Sequence, residues 1–204
     1  MQTRIITLIA WACLSSASLF GCGGGDDSSG SNAGAGGTTG TGGGSNNGTG
    51  GLLSTGCYTA FDYSTYTPGA TARTLTTDVQ PIFAVSCAIS SACHLTSSST
   101  IQHPFLGPPS GTTPTPDQIA AIRSEIVGVK AIEFPSANMV TAGDPGNSWL
   151  MLKVDTPIAN TISCSCPSSN LAPGCGTPMP QGGPALAADK KAIIRDWIKG
   201  GATL

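Results

Sequence analysis

Apolar side chains recur at helical spacing in four segments of the chain, separated by polar and turn-forming residues. In chain order, these apolar positions are Val79, Ile82 and Phe83; Ile119, Ile122 and Ile126; Trp149, Leu150 and Leu152; and Ile193, Ile194, Trp197 and Ile198. Spacings of three and four residues place such side chains on one face of a helix, which is then buried. No strand-rich region competes with these segments, so the pattern predicts a small, mostly α domain with long loops.

Polar residues and glycines indicate where these helices begin and end. One of the threonines at 76 and 77 is expected to cap the first helix. The sequence T-P-D at 115–117 combines a capping hydroxyl, a proline at the first helical position and an acid. Residue 147 or 148 caps the third helix, and the last helix, from about 187 to 199, ends at Gly200-Gly201.

Residues 1–21 resemble a bacterial secretory signal. Arg4 supplies a positive charge, and the apolar stretch after it is too short for a stable transmembrane span. The stretch ends in L-F-G-C at 19–22, which resembles the lipobox of bacterial lipoproteins. That resemblance implies a lipidated Cys22 as membrane anchor, and the glycine after it implies the outer membrane of the cell envelope, at its periplasmic or surface face. An ordinary signal peptide with a coincidental cysteine is the alternative.

The rest of the chain divides by composition into three parts. Residues 22–51 are almost wholly Gly, Ser, Thr and Asn after the lipidated cysteine, and such a segment is expected to be a disordered linker. Residues 52–73 are expected to form an extended arm that packs on the domain. Residues 74–204 have the length of one compact domain.

Composition excludes some functions. Charged residues make up 10% of the chain and the net charge is −2, so nucleic acid is not an expected partner. Neither a G-x-S-x-G elbow nor an H-E-x-x-H helix motif is present, which favours an electron carrier or binding module over an enzyme. The acidic residues are interpreted as turn, cap and surface residues and not as a catalytic acid and base; they are Asp144, Asp155, Asp189 and Asp196. Aromatic residues are only 5%, so the core requires aliphatics, covalent links or a large bound group.

The sequence C-A-I-S-S-A-C-H, from Cys87 to His94, is the main candidate for chemistry. A cysteine directly followed by histidine, with a second cysteine upstream, resembles the haem-attachment motif of c-type cytochromes. The segments D-V-Q-P-I-F at 78–83, G-D-P at 143–145 and M-P at 179–180 are similar to the helices and methionine loop of cytochrome c domains from environmental bacteria. The resemblance implies a cytochrome c-like fold over about residues 74–203 and covalently bound haem c.

The resemblance also implies a role for each residue of the motif. Cys87 and Cys93 would form thioethers to haem, His94 would be the proximal iron ligand and Met179 the distal one. His103 is a rival distal ligand, although its Ser/Thr-rich loop favours a solvated side chain. These roles imply a membrane-anchored monohaem protein that exchanges single electrons with redox partner proteins of the envelope.

The spacing departs from the family, because five residues separate the cysteines instead of two. Positions six apart in a continuous helix are about 9 Å apart along the axis and about 120° apart around it. Haem attachment therefore requires residues 88–92 to bulge out of the helix. A Cys87–Cys93 disulfide requires the same unwinding. It would leave a haem-free, disulfide-stapled surface domain with a binding or structural role, which is the alternative function.

Four further cysteines, Cys57, Cys164, Cys166 and Cys175, are expected to form two disulfides that brace the loops of the domain. Three pairings are possible, and the sequence does not choose among them. A zinc site is the alternative, but no neighbouring histidine completes a standard ligand set.

Overall fold

The computed structural model describes residues 57, 61–96, 103–158, 160, 162, 164, 166 and 175–204; the predicted signal segment, Cys22 and the predicted linker lie outside these ranges. The helices are α1 (Gln80–Ser86), α2 (Pro116–Ile126), α3 (Trp149–Asp155) and α4 (Ala188–Lys199). A π-helical turn (Leu75–Val79) runs into α1, and a 3-10 turn (Pro145–Asn147) precedes α3. β structure in the described ranges is limited to isolated bridges such as Val127 with Val140. The domain is partly helical, with long loops.

Helix α2 has the start that its sequence predicts. The Thr115 side chain accepts a hydrogen bond from the Gln118 backbone N–H at 3.2 Å, and the Gln118 side chain accepts one from the Thr115 N–H at 2.9 Å. This reciprocal capping box satisfies two N–H groups that the helix cannot pair internally. The predicted apolar face is confirmed, since Ile119, Ile122 and Ile126 are all buried.

The first helical segment begins earlier than predicted. Its cap is Thr74, whose side-chain oxygen accepts from the Thr77 N–H at 3.2 Å, so a cap at residue 76 or 77 is wrong. The Asp78 carboxylate reaches back to the Thr74 N–H at 2.9 Å, and Leu75 N–H donates to the Thr203 carbonyl at 2.9 Å. The C-terminal residues therefore fix the start of the helix, which a local reading of the sequence does not reveal.

Helix α3 is buried on all sides because it lies between two apolar clusters. Leu150, Met151 and Val154 belong to the main cluster, which also holds the buried faces of α2 and α4. Trp149 and Leu152 belong to a second cluster with Phe134, whose ring stacks on that of Trp149 at 5.4 Å. Both clusters therefore depend on this seven-residue helix.

The arm is described at residue 57 and from residue 61 onward, and hydrogen bonds attach it to α3 and α4. The Tyr63 hydroxyl donates to Asp155, which also accepts from the Arg195 guanidinium at 2.5 Å. Arg195 in turn lies over the Phe61 ring at 3.6 Å, and the Tyr66 hydroxyl donates to Asp196. The assignment of Asp155 to the surface is wrong, because the arm covers this carboxylate and Arg195 neutralises it.

No helix in the described ranges has both the length and the apolarity to cross a membrane.

Candidate functional site

The loop from Cys87 to His94 unwinds in the way that the cysteine spacing requires. Helix α1 ends at Ser86, and the backbone N–H groups of residues 87 and 88 both donate to the Phe83 carbonyl. The chain then turns back, so that the His94 N–H donates to the Cys87 carbonyl at 3.1 Å. This bond closes a loop in which the backbones of Cys87 and His94 are adjacent, although a continuous helix would separate them.

The two cysteines of this loop have different surroundings. Cys87 carries a free thiol and packs against the main apolar cluster, so the Cys87–Cys93 disulfide of the alternative interpretation is not formed. Burial raises the pKa of the Cys87 thiol to about 12, which keeps it protonated. Cys93 is buried and is disulfide-bonded, so its sulfur is not a free thiol as the predicted thioether requires. Its Sγ also accepts a hydrogen bond from the Ser90 hydroxyl at 3.3 Å.

The His94 ring is fixed by one hydrogen bond. Its Nδ1 lies 3.0 Å from the Pro104 carbonyl oxygen. Because a carbonyl only accepts, Nδ1 must carry the proton, and Nε2 keeps its lone pair. Burial lowers the pKa of His94 to about 4, opposed by the hydrogen bond to Pro104, so the ring is neutral near pH 7. A neutral imidazole held through its other nitrogen by a carbonyl is the usual state of a histidine metal ligand.

His103 lies beside His94, with the ring centroids 5.2 Å apart and the planes at 73°. Both of its ring nitrogens are shielded from solvent, and neither has a hydrogen-bond partner within the described part of the chain. The prediction of a solvated His103 is therefore wrong. The cause is the turn that presents the Pro104 carbonyl to His94, because it also brings the neighbouring residue, His103, against the same ring.

The methionine loop lies against helix α3. Met179 is partly buried at the edge of the main cluster, the same cluster that Cys87 contacts. Its backbone N–H donates to the Lys153 carbonyl at 2.8 Å. The structure therefore joins Cys87 and His94 in one loop and places Met179 on the cluster that packs against Cys87.

The four remaining cysteines form the two predicted cross-links, and the pairing is now defined. The sulfurs of Cys57 and Cys164 are 2.11 Å apart, and those of Cys166 and Cys175 are 2.01 Å apart. The Sγ atoms of residues 164, 166 and 175 all lie within 4.8 Å of one another. All four cysteines contact the second apolar cluster.

A buried ion pair beside these cysteines was not predicted from the sequence. Lys153, 5% exposed, donates from Nζ to Glu133 at 3.1 Å and to the Cys175 carbonyl at 3.0 Å. Glu133 also accepts from the Trp149 indole N–H at 2.9 Å. Lys153 lies in a short apolar helix, and nothing in the local sequence distinguishes it from a surface lysine that covers a helix with its aliphatic stem.

A cavity of about 230 Å³ borders the methionine loop and is lined by residues that include Thr177, Pro178 and Pro180. Ligand pockets are typically about 300–1,000 Å³. Cys87, His94 and Met179 do not line this cavity, so it is a separate feature from the loop that carries the haem-attachment motif.

Comparison of the chain with protein-family models, curated proteins and solved structures finds no match.

Proposed function

We propose that this protein is a membrane-anchored, monohaem c-type cytochrome-like carrier that passes single electrons at the cell envelope. The observation that carries the proposal is the hydrogen bond from His94 Nδ1 to the Pro104 carbonyl, at 3.0 Å. It leaves Nε2 of a neutral ring as the nitrogen for a metal, on the residue that follows Cys93 and whose backbone N–H bonds to Cys87.

The donor set suits haem. His94 would supply the imidazole ligand, because the Pro104 carbonyl fixes its tautomer and would raise its basicity as a ligand. Cys87 would supply a protonated thiol on the loop that His94 closes. The motif assigns the second thioether to Cys93, whose disulfide must be reduced before haem is attached. When bound in this way, haem supplies a one-electron iron couple.

Met179 would supply the second protein ligand of the haem iron in this proposal. A thioether sulfur raises the reduction potential relative to a second imidazole. Pro178 and Pro180 flank Met179, and its N–H is tied to Lys153, so the backbone that presents the sulfur is constrained. His103 is the competing ligand, since its unpaired buried nitrogens already lie beside His94.

The protein around this loop restricts solvent. Leu75, Phe83, Trp197 and Ile198 are fully buried in the cluster against which Cys87 and Met179 pack. An apolar shell of this kind lowers the local dielectric and is one of the means by which a protein sets a haem potential. The lipid on Cys22 and the linker would hold the domain near the membrane within reach of redox partner proteins.

The test is to produce the chain in a periplasm with haem-maturation machinery and to record its absorption in the oxidised and reduced states. Sharp reduced bands that persist after acid–acetone extraction are expected, because thioether bonds resist that treatment. The His94→Ala variant should lose the low-spin spectrum, whereas Met179→Ala should lower the reduction potential more than His103→Ala. A colourless folded protein would contradict the proposal.

A haem-free, disulfide-stapled binding or structural module is the second candidate. It is favoured by the contact of His103 with His94 at 5.2 Å, because a partner ring already occupies part of the space around the proximal imidazole. The same spectrum separates the two functions.

A further inference from the structure

The loop cysteines form a compact cluster of sulfur atoms. Cys164, Cys166 and Cys175 present Sγ atoms within 4.8 Å of one another, and Cys57 Sγ is bonded to Cys164 Sγ. Four sulfurs therefore lie close together, although the cysteines are as far apart in sequence as residues 57 and 175. This cluster involves neither Cys87 nor Cys93, so it is independent of the proposed electron-transfer site.

The dimensions of the cluster are close to those of a tetrahedral thiolate site. Zinc binds cysteine sulfur at about 2.3 Å, which places the four sulfurs of a tetrahedron about 3.8 Å apart. The sulfurs of residues 164, 166 and 175 already lie within 4.8 Å of one another. No histidine is needed, because four cysteines form a standard structural zinc site.

We propose that this cluster is a redox-controlled metal site, which is closed by two disulfides when oxidised and binds one Zn²⁺ through Cys57, Cys164, Cys166 and Cys175 when reduced. The ligand class is a soft or borderline divalent ion such as Zn²⁺ or Cd²⁺, which thiolates select over hard ions.

The charges and burial around the cluster favour such an ion. Four thiolates and one Zn²⁺ carry a net charge of −2, and the Lys153 ammonium is held at the site through the Cys175 carbonyl, at 3.0 Å. Cys57 and Cys175 are 4% and 5% exposed, so water competes poorly for the ion. Lys153 Nζ also donates to Glu133 at 3.1 Å, which fixes the position of the ammonium.

Reduction of the two disulfides, which precedes zinc binding, requires a dithiol reductant. Each disulfide accepts two electrons and two protons from a dithiol, which becomes a disulfide itself, and yields two thiols. One Zn²⁺ then displaces four protons from the four thiols. The site therefore fills only where a dithiol reductant and the metal are both present.

The test uses the full chain, reduced with a phosphine so that no added thiol competes for metal. For each disulfide that is reduced to two thiols, one phosphine takes an oxygen atom from water and becomes the phosphine oxide. Zinc is then titrated against a chromophoric chelator, native mass spectrometry counts the bound ions, and X-ray absorption identifies the ligands. We expect one Zn²⁺ per reduced chain with four sulfurs at about 2.3 Å, and none bound at this site in the oxidised chain.

Matched variants separate this site from other thiols. Changes beyond the first ligands of a metal already weaken binding by about 10–100-fold, so Cys175→Ser is expected to weaken zinc binding more than about tenfold. Cys87→Ser removes a thiol outside the cluster and should leave zinc binding unchanged. The proposal is overturned if the reduced chain binds no zinc, if X-ray absorption shows nitrogen or oxygen ligands, or if both variants lose binding equally. None of these outcomes depends on whether haem is attached.

Discussion

The Nδ1 atom of His94 lies 3.0 Å from the carbonyl oxygen of Pro104. This contact fixes a neutral imidazole in one tautomer at the end of the loop that begins at Cys87. The proposed electron-transfer function depends on this relationship more than on any other, because a ring free to rotate would not present one nitrogen to a metal.

The buried ion pair between Arg195 and Asp155 should be essential to the attachment of the arm. In Arg195→Met, the Asp155 carboxylate loses its guanidinium partner and, among the described residues, keeps the hydrogen bond from Tyr63 and the charge of Lys191. Breaking such a buried pair from one side costs about 3–5 kcal/mol. Urea unfolding, monitored by Trp fluorescence, measures the loss of free energy of unfolding.

The control for this change is Lys190→Met, because Lys190 and Asp189 form an exposed pair at 3.5 Å. An exposed pair contributes less than about 1 kcal/mol. Equal losses in the two variants would show that Asp155 is not held in the buried arrangement described here.

The two disulfides should contribute unequally to stability. Cys57–Cys164 closes a separation of 107 residues and Cys166–Cys175 one of 9. Loop-closure entropy gives about 4.8 kcal/mol for the first and about 2.6 kcal/mol for the second. Replacing each pair by two serines, with the other disulfide intact, should therefore lower the free energy of unfolding by amounts that differ by about 2 kcal/mol. A larger loss from the short loop would contradict the observed pairing.

Glu133 and Lys153 should respond unequally to substitution. In Glu133→Gln the buried ammonium loses its countercharge, and an unpaired buried charge costs several kcal/mol. Glu133 is partly exposed, so we expect a loss of about 2 kcal/mol at pH 7. Lys153→Met removes the buried charge itself and should cost less than about 1 kcal/mol. Chemical denaturation of the two variants tests the order, and a larger loss in Lys153→Met would contradict it.

The deficit of Glu133→Gln should also depend on pH. Burial lowers the pKa of Lys153, opposed by the charge of Glu133, so the variant should have a still lower pKa in the folded state. The unfolded chain then binds more protons than the folded one at pH values between the two pKa values, and stability rises with pH there. The loss of unfolding free energy in Glu133→Gln should therefore become smaller as the pH is raised toward 10.5, the ordinary pKa of lysine. The loss in Lys153→Met should not become smaller.

Local sequence signals were sufficient for the parts of the fold that depend on local contacts. The cap at Thr115 and the buried face of α2 follow from hydroxyl, proline and isoleucine positions within twelve residues. The predicted stripe of α4 is confirmed at Ile194, Trp197 and Ile198, and Ile193 is only partly buried. Each of these features depends on helical periodicity alone.

The features that sequence reasoning missed depend on distant contacts. The Thr74 cap is local, but the Leu75 N–H pairs with distant Thr203, and Asp155 is buried because Arg195 and the arm meet it. The shielding of His103 likewise depends on His94, nine positions away. In the candidate site, the need for an unwound segment after Cys87 followed from helix geometry, but the Pro104 carbonyl that orients His94 carries no sequence signal, since every residue has such a group.

Peptide mapping of the chain from a haem-maturing periplasm tests the central claim most directly. The account predicts that the peptide containing Cys87 and Cys93 carries the mass of one haem through both sulfurs, with Cys57–Cys164 and Cys166–Cys175 recovered as disulfides. The same peptide recovered without haem, from a folded chain produced beside a control cytochrome that does acquire haem, would contradict the account and leave the stapled binding module.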